Sequence, residues 1–198
     1  MNKTRERIQD VALALFNASG TYSVTTNHIA DAAQLSIGNL YYHFKNKEEI
    51  VRALYERLTQ DSAAAFVLPT DRPPTIEDLE GLIAANFTIL WKYRFFYREI
   101  MGLTMRDPLL AGQYRAVREG GYRNFGALFA QFHQSEVFRA ATADEITQLA
   151  EVCWILSEFY IAYVELGGEE PTESHRFHGI TLFRQLLRPY LAAAGPGQ

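Results

Sequence analysis

Cysteine is almost absent. The chain of 198 residues carries one, Cys153, so an intramolecular disulfide is excluded, and its apolar setting predicts a buried thiol in a reducing compartment. No run approaches the ~18 uninterrupted apolar residues of a membrane span, and the start MNKTRERIQ lacks the apolar stretch of a secretion signal. Neither secretion nor a membrane partner is therefore expected. Basic excess is missing too: 19 Lys and Arg face 23 Asp and Glu, a net charge of −4, which argues against a general nucleic-acid coat. A local footprint remains open, since Lys3, Arg5, Arg7, Lys45, Lys47, Arg52 and Arg57 gather toward one end. Glycine-rich phosphate loops, G-x-S-x-G, H-E-x-x-H and C-x-x-C pairs do not occur. Glu99, Asp107, Glu158 and Glu165 are scattered, and spacing pairs no two of them for acid–base work. His175 and His178, with Glu173, could share a helix face as metal ligands, but a solvated helix start explains them better because no further ligand lies near in sequence. No catalytic residue, metal or cofactor is expected.

What is present is helix. Ile8, Val11, Ala12, Leu15 and Phe16 follow a helical stripe from a Thr4 cap and stop before Gly20. Asn46 opens a capping-box-like start with Glu49, and Ile50, Leu54 and Leu58 line a helix to about Phe66. Pro69 to Pro74 is too rich in proline for helix and marks a boundary. Thr75 then starts a helix striped by Leu79, Leu82, Ile83, Phe87 and Leu90, and another follows to about Arg106. Asp107-Pro108 opens a long helix toward His133, which Gly120-Gly121 is expected to kink or split. Thr142 with Glu145 caps a helix that ends at Gly167-Gly168, and a last helix carries Phe177 to Leu191. With no strand-period run or repeat, the fold class is all-α. The expected organisation is a first unit over 1–48, a linking helix over 49–68, and a second, helical unit over 75–194; what each unit does rests on the motif in the first and the resemblance it carries.

The stretch from Thr25 to Lys47 carries the functional signal. Thr25 can cap a short helix containing Ile29, Ala30 and Ala33; Gln34-Leu35-Ser36 breaks it, and Ser36 can cap a second helix in which Leu40 and Phe44 face inward. Two short helices joined by such a turn form a helix-turn-helix, whose second helix enters the major groove N-terminus first. Ile37, Gly38, Asn39, Tyr41, Tyr42 and His43 would then lie nearest to bases and phosphates. The rival reading, that Tyr-Tyr-His-Phe is core, requires two buried tyrosine hydroxyls to find partners.

In Thr25-Thr26, Ile29-Ala30 and Leu40-Tyr41-Tyr42-His43-Phe44-Lys45-Asn46-Lys47 the chain resembles the TetR family of bacterial transcriptional regulators, over roughly its first quarter. The resemblance implies phosphate contacts from Thr25, Lys47, Tyr42 and His43. It further implies approaches to base edges or adjoining phosphates by Thr26, Asn27, Ile37, Gly38, Asn39 and Tyr41, around the Ser36 cap. Two positions depart from the family pattern. Gln34 stands where the turn commonly has glycine, so either it accepts an unusual backbone or the turn differs, while Ile37 can touch a thymine methyl but cannot hydrogen-bond a base.

A palindromic operator is read by a two-fold dimer with half-sites about 34–36 Å apart. The last two long helices are apolar over more than one face, and the resemblance implies that they pair with their mates in a four-helix bundle, which points to Leu156, Tyr160, Tyr163, Phe183, Leu187 and Tyr190. The alternative buries both helices inside a monomer. The family's middle helices commonly enclose an effector, and the candidate walls are Asn86, Trp91, Phe95, Arg98, Met101, Met105, Tyr122, Phe125, Phe129 and His133, with Asn86, Arg98 or His133 fixing a polar end. These aromatic stripes are equally what plain packing looks like.

The expected function is a homodimeric, ligand-responsive repressor, not an enzyme, with a helix-turn-helix DNA-binding domain as the first unit and a helical effector-binding and dimerisation domain as the second. It would bind double-stranded operator DNA in the cytoplasm, on the nucleoid, and be released by a small apolar, aromatic or acyl effector. A helical small-molecule-binding module or enzyme without a DNA-reading role is the alternative.

Overall fold

The computed structural model describes residues 3–192. Among them the regular elements are helical: α1 (Lys3–Ser23), α2 (Thr26–Ala32), α3 (Ile37–His43), α4 (Lys47–Ala65), α5 (Ile76–Lys92), α6 (Arg94–Arg106), α7 (Pro108–Gln134), α8 (Ala143–Leu166), α9 (Glu173–Leu187) and a 3-10 turn at Arg188–Tyr190. The all-α expectation holds, with one isolated bridge between Phe138 and Leu191. Residues 193 and 194, placed at the end of the expected effector domain, lie outside the described residues.

The helix starts follow from local chemistry. The Thr142 hydroxyl accepts from Glu145 N–H (3.2 Å) while the Glu145 carboxylate accepts from Thr142 N–H (2.9 Å), a reciprocal cap. Asn46 Oδ1 accepts from Glu49 N–H (2.9 Å) at the start of α4. Asp107 accepts from the N–H groups of Leu109 (3.0 Å) and Leu110 (3.2 Å) with Pro108 in the first turn of α7. Gly20, with φ 75, turns the chain out of the helical conformation within α1, and a Cβ there would lie 2.9 Å from Glu99 Oε1.

The pair Gly120-Gly121 neither splits nor ends α7, which runs unbroken from Pro108 to Gln134. Its use is close packing: a Cβ on Gly121 would stand 2.1 Å from Trp154 on α8. The tertiary contact, rather than backbone freedom, explains the glycine.

Helices α1, α2 and α3 enclose a small amino-terminal core in which Ile8, Phe16, Ile29, Leu40 and Phe44 are fully buried. Each such side chain contributes about 1.5–3 kcal/mol. Helix α4 joins this unit to the rest. Its Arg52 is paired with Asp107, and its Arg57 reaches Asp10 at 2.6 Å and the Tyr93 hydroxyl at 3.1 Å. These two cations therefore fasten helices together and leave the basic footprint expected near the reader. Helix α6 forms a second seam, where Glu99 accepts from the Thr21 N–H (2.9 Å) and hydroxyl, while Arg98 donates to the Phe16 carbonyl (2.8 Å) and to Glu165 (3.1 Å). Three of the four scattered carboxylates thus tie or cap helices.

Candidate nucleic-acid interface and ligand cavity

The turn between α2 and α3 is built from few residues. Thr25 Oγ1 accepts from His28 N–H (3.2 Å) and His28 Nδ1 accepts from Thr25 N–H (3.3 Å), so the imidazole serves as the second half of the cap. Gln34 takes φ 54, the left-handed conformation that a non-glycine residue adopts at some cost, and Leu35 N–H returns to the Ala30 carbonyl at 2.9 Å. Ser36 Oγ then accepts from Asn39 N–H (3.2 Å) and starts α3.

Helix α3 divides cleanly. Leu40 and Phe44 are buried, whereas Asn27, Ser36, Ile37, Gly38, Asn39, Tyr41 and Tyr42 face outward, Tyr42 with 84% of its surface exposed. The tyrosines are therefore not core. Thr26 Oγ1 lies 3.1 Å from the Tyr41 hydroxyl and ties the two helices on their outer side. Among the described residues no atom lies within 4 Å of a Cβ added to Gly38, so none of them calls for glycine there. Arg5 stacks over Phe44 at 4.0 Å and donates to the His43 carbonyl (2.7 Å), while Lys3, Arg7 and Lys45 are exposed. The Lys47 ammonium is turned inward, donating to the carbonyls of Thr21 (2.5 Å) and Val24 (2.9 Å).

Between α4, α5, α6, α7, α8 and α9 lies a cavity of about 630 Å³, inside the usual range for small-molecule sites. Four of the expected wall residues meet there: Asn86, Tyr122, Phe125 and Phe129. The other six do not. Phe95 is core against Phe16 (5.3 Å between ring centres), Trp91 lies under the Arg94 guanidinium, and Met101 and Met105 are in solvent. Arg98 is consumed by Phe16 and Glu165, and His133 Nδ1 lies 3.1 Å from the Phe138 carbonyl. Helix phase accounts for this, because α6 turns Phe96 and Tyr97 toward the cavity and carries the two methionines round to the outside.

The cavity also holds what the sequence reading passed over. Glu158 is 6% exposed and burial pushes its carboxyl up to about 7, against the opposing hydrogen bond from the Tyr114 hydroxyl. Burial likewise raises the Tyr55 and Tyr97 hydroxyls, with the Glu158 charge adding to it. The Trp154 indole N–H is buried without an aligned acceptor, and Asn86 donates to Ser157 Oγ at 3.0 Å. Cys153 is in the wall, and burial alone pushes its thiol up to about 12, which suits an inert side chain. A signal was available: Ala150, Trp154, Glu158 and Ile161 share one face of α8, so an acid interrupts an otherwise apolar stripe.

Of the residues expected at a dimer interface, Tyr160, Phe183 and Leu187 are buried within the chain, and Phe183 and Leu187 line the cavity. Leu156 and Tyr190 are half-buried, and Tyr163 is 72% exposed. The outward apolar stripe of α8 is Val152, Ile155, Phe159, Tyr163 and Leu166, at three- and four-residue spacing, with Phe177 and Leu182 exposed on α9. His175 caps α9 with Thr172 (3.1 Å to its N–H) and meets Glu169. Among the described residues no group of His, Cys, Asp and Glu could hold a metal, and no helix is long and apolar enough to cross a membrane.

Two family models match the chain: one described as bacterial regulatory proteins of the tetR family over residues 8–54, and one as bacterial transcriptional repressor over 57–196. A TetR-family transcriptional regulator from Marinobacter aquaeolei VT8 shares 30% identity, with a TM-score of 0.86 over 97% of this chain and 92% of that one. The HTH-type transcriptional regulator UidR of Escherichia coli K12 is 27% identical over 112 residues, a match covering 57% of each protein's length. The HTH-type transcriptional repressor KstR2 of Mycobacterium tuberculosis H37Rv is 33% identical over 89 residues, 44% of each.

Proposed function

The chain belongs to the TetR family of bacterial transcriptional regulators, and from that premise we propose that it is a homodimeric repressor that binds a palindromic operator and is released by a small effector held in the cavity. The observation that carries the DNA-reading part is the outward face of α3. Ile37, Asn39, Tyr41 and Tyr42 stand in solvent around a glycine whose open side none of the described residues fills, as expected of a helix meant to approach another backbone. Thr25, Thr26, Asn27, Ser36 and His43 complete the contact surface. Lys47 acts first by holding the carbonyls that end α1, so its contribution is to the placing of the reader.

The division into a reader over 1–48, a linking helix over 49–68 and an effector domain from 75 onward goes with this proposal, as does action in the cytoplasm on the nucleoid. The dimer contact we propose is the α8 stripe from Val152 to Leu166 with Phe177 and Leu182 of α9, since it offers the contiguous apolar surface that a two-fold mate would cover. Helix α4 is the proposed lever: Tyr55, Leu58 and Ser62 line the cavity near one end, and Lys47 grips the reader at the other. An effector that favours one position of α4 lowers DNA affinity by the ratio of its affinities for the two states.

The test is selection of bound sequences from a random duplex pool at two salt concentrations, with the purified full chain. Recovery of a palindrome whose binding weakens steeply with salt is the expected result. Folded protein that enriches no sequence at either salt overturns the reading.

A further inference from the structure

We propose that the cavity selects a hydrophobic cation, an aromatic or alkyl amine or onium ion, with Glu158 as the counter-charge and the surrounding rings as its walls. This deepens the reading of the cavity as the effector site and rests on it.

The argument starts from the charges present and missing. Among the described residues Glu158 is the one carboxylate lining the cavity, and no lysine, arginine or histidine lines it. The basic side chains that sequence alone would have assigned to a polar end are engaged elsewhere: Arg98 with Glu165, and the His133 ring against the Phe138 carbonyl. Arg118, whose charge reaches Glu158, bonds instead to the Tyr122 hydroxyl (3.0 Å). An acyl carboxylate or a phosphate entering this space meets an acid and no base, and a buried anion without a partner is strongly disfavoured.

Glu158 is itself under-partnered. A carboxylate can accept about four hydrogen bonds. Among the described residues the Tyr114 hydroxyl donates to it, and the Trp154 indole N–H, which has no aligned acceptor of its own, lies close enough to help hold the carboxylate, so at least two of its accepting positions stay unfilled. Tyr55 and Tyr97 lie within reach of its charge, and Trp154 sits one turn before it on α8, so a positive group beside the carboxylate would lie among aromatic rings, which attract cations. The remaining wall, with Phe96 and Phe125 among it, is apolar and suits the ligand's body.

The experiment uses the purified full chain and two probes of the same shape and opposite charge, tetraphenylphosphonium and tetraphenylborate, titrated by calorimetry and by tryptophan fluorescence. The phosphonium is expected to bind at least about tenfold more tightly than the borate, and Glu158→Gln to bring the two to within about threefold while the fold is retained. The borate binding as tightly or more so, or a ratio unchanged in Glu158→Gln, overturns the proposal; the wild-type comparison needs no variant. Ser157→Phe, which fills the cavity, separates the two levels. Binding abolished by Ser157→Phe but blind to charge overturns the cation assignment and leaves the cavity as the effector site. Binding that survives Ser157→Phe, or no binding of either probe, overturns both.

Discussion

The reader and the cavity use the same kinds of residue in opposite ways. Tyr41 and Tyr42 hold their rings in water on α3, whereas Tyr55 and Tyr97 are turned inward around Glu158. Gly38 faces open space, whereas a Cβ on Gly179 would stand 2.3 Å from Phe87 and 2.7 Å from Tyr160. The first glycine leaves room for something outside the chain and the second for something within it. Residue type alone therefore does not separate a contact surface from a core; what lies on the far side of the residue does.

That contrast can be broken at several points. Gly38→Leu should lower operator affinity by about a hundredfold while leaving thermal stability unchanged or slightly raised, because glycine costs a helix about 0.5–1 kcal/mol. Gel-shift titration beside a thermal melt checks both, and a fall in melting temperature with unchanged DNA affinity would reverse the assignment. Gly179→Ala should do the opposite, costing about 2–3 kcal/mol of stability by denaturant unfolding, since Phe87 and Tyr160 are rigid rings that must move to admit a methyl group.

Glu158→Gln should stabilise the chain by about 2 kcal/mol at pH 8. The sign follows from the raised carboxyl: between its ordinary value near 4.5 and about 7 the folded chain binds more protons than the unfolded one, so wild-type stability falls as pH rises through that window. Below pH 4.5 the variant should lose its advantage, and equal stabilities at pH 8 would mean that the carboxylate is not penalised by burial. The smallest effect expected is Tyr41→Phe, which removes the 3.1 Å link to Thr26 at an exposed site and should cost less than about 0.5 kcal/mol of stability. A loss above 1 kcal/mol would mark Tyr41 as a structural residue rather than a surface one.

Most of the helical architecture was legible in the sequence because its signals are local. Thr25, Ser36, Asn46, Asp107 and Thr142 cap helices where their side chains reach a backbone N–H two or three residues on, a geometry that depends on nothing distant. The outward face of α3 was legible for the same reason, since Leu40 and Phe44 fix which side is in. The cavity was only partly legible. Asn86, Tyr122, Phe125 and Phe129 reach it, but the stripe that suggested Phe95, Met101 and Met105 records only that α6 is amphipathic, not which neighbour each face meets.

What the sequence determined by itself was the helical order, the helix-turn-helix and the family, because caps, periodicity and an ordered motif are properties of neighbouring residues; the left-handed backbone at Gln34 was one of two ways left open and was decided by the structure. Only the tertiary structure decided that Gly121 serves Trp154, that Lys47, Arg52 and Arg57 fasten helices, and that Glu158 is enclosed among aromatic rings. Those outcomes depend on which residues distant in the chain are brought face to face, and helix packing settles that through the shapes of whole surfaces.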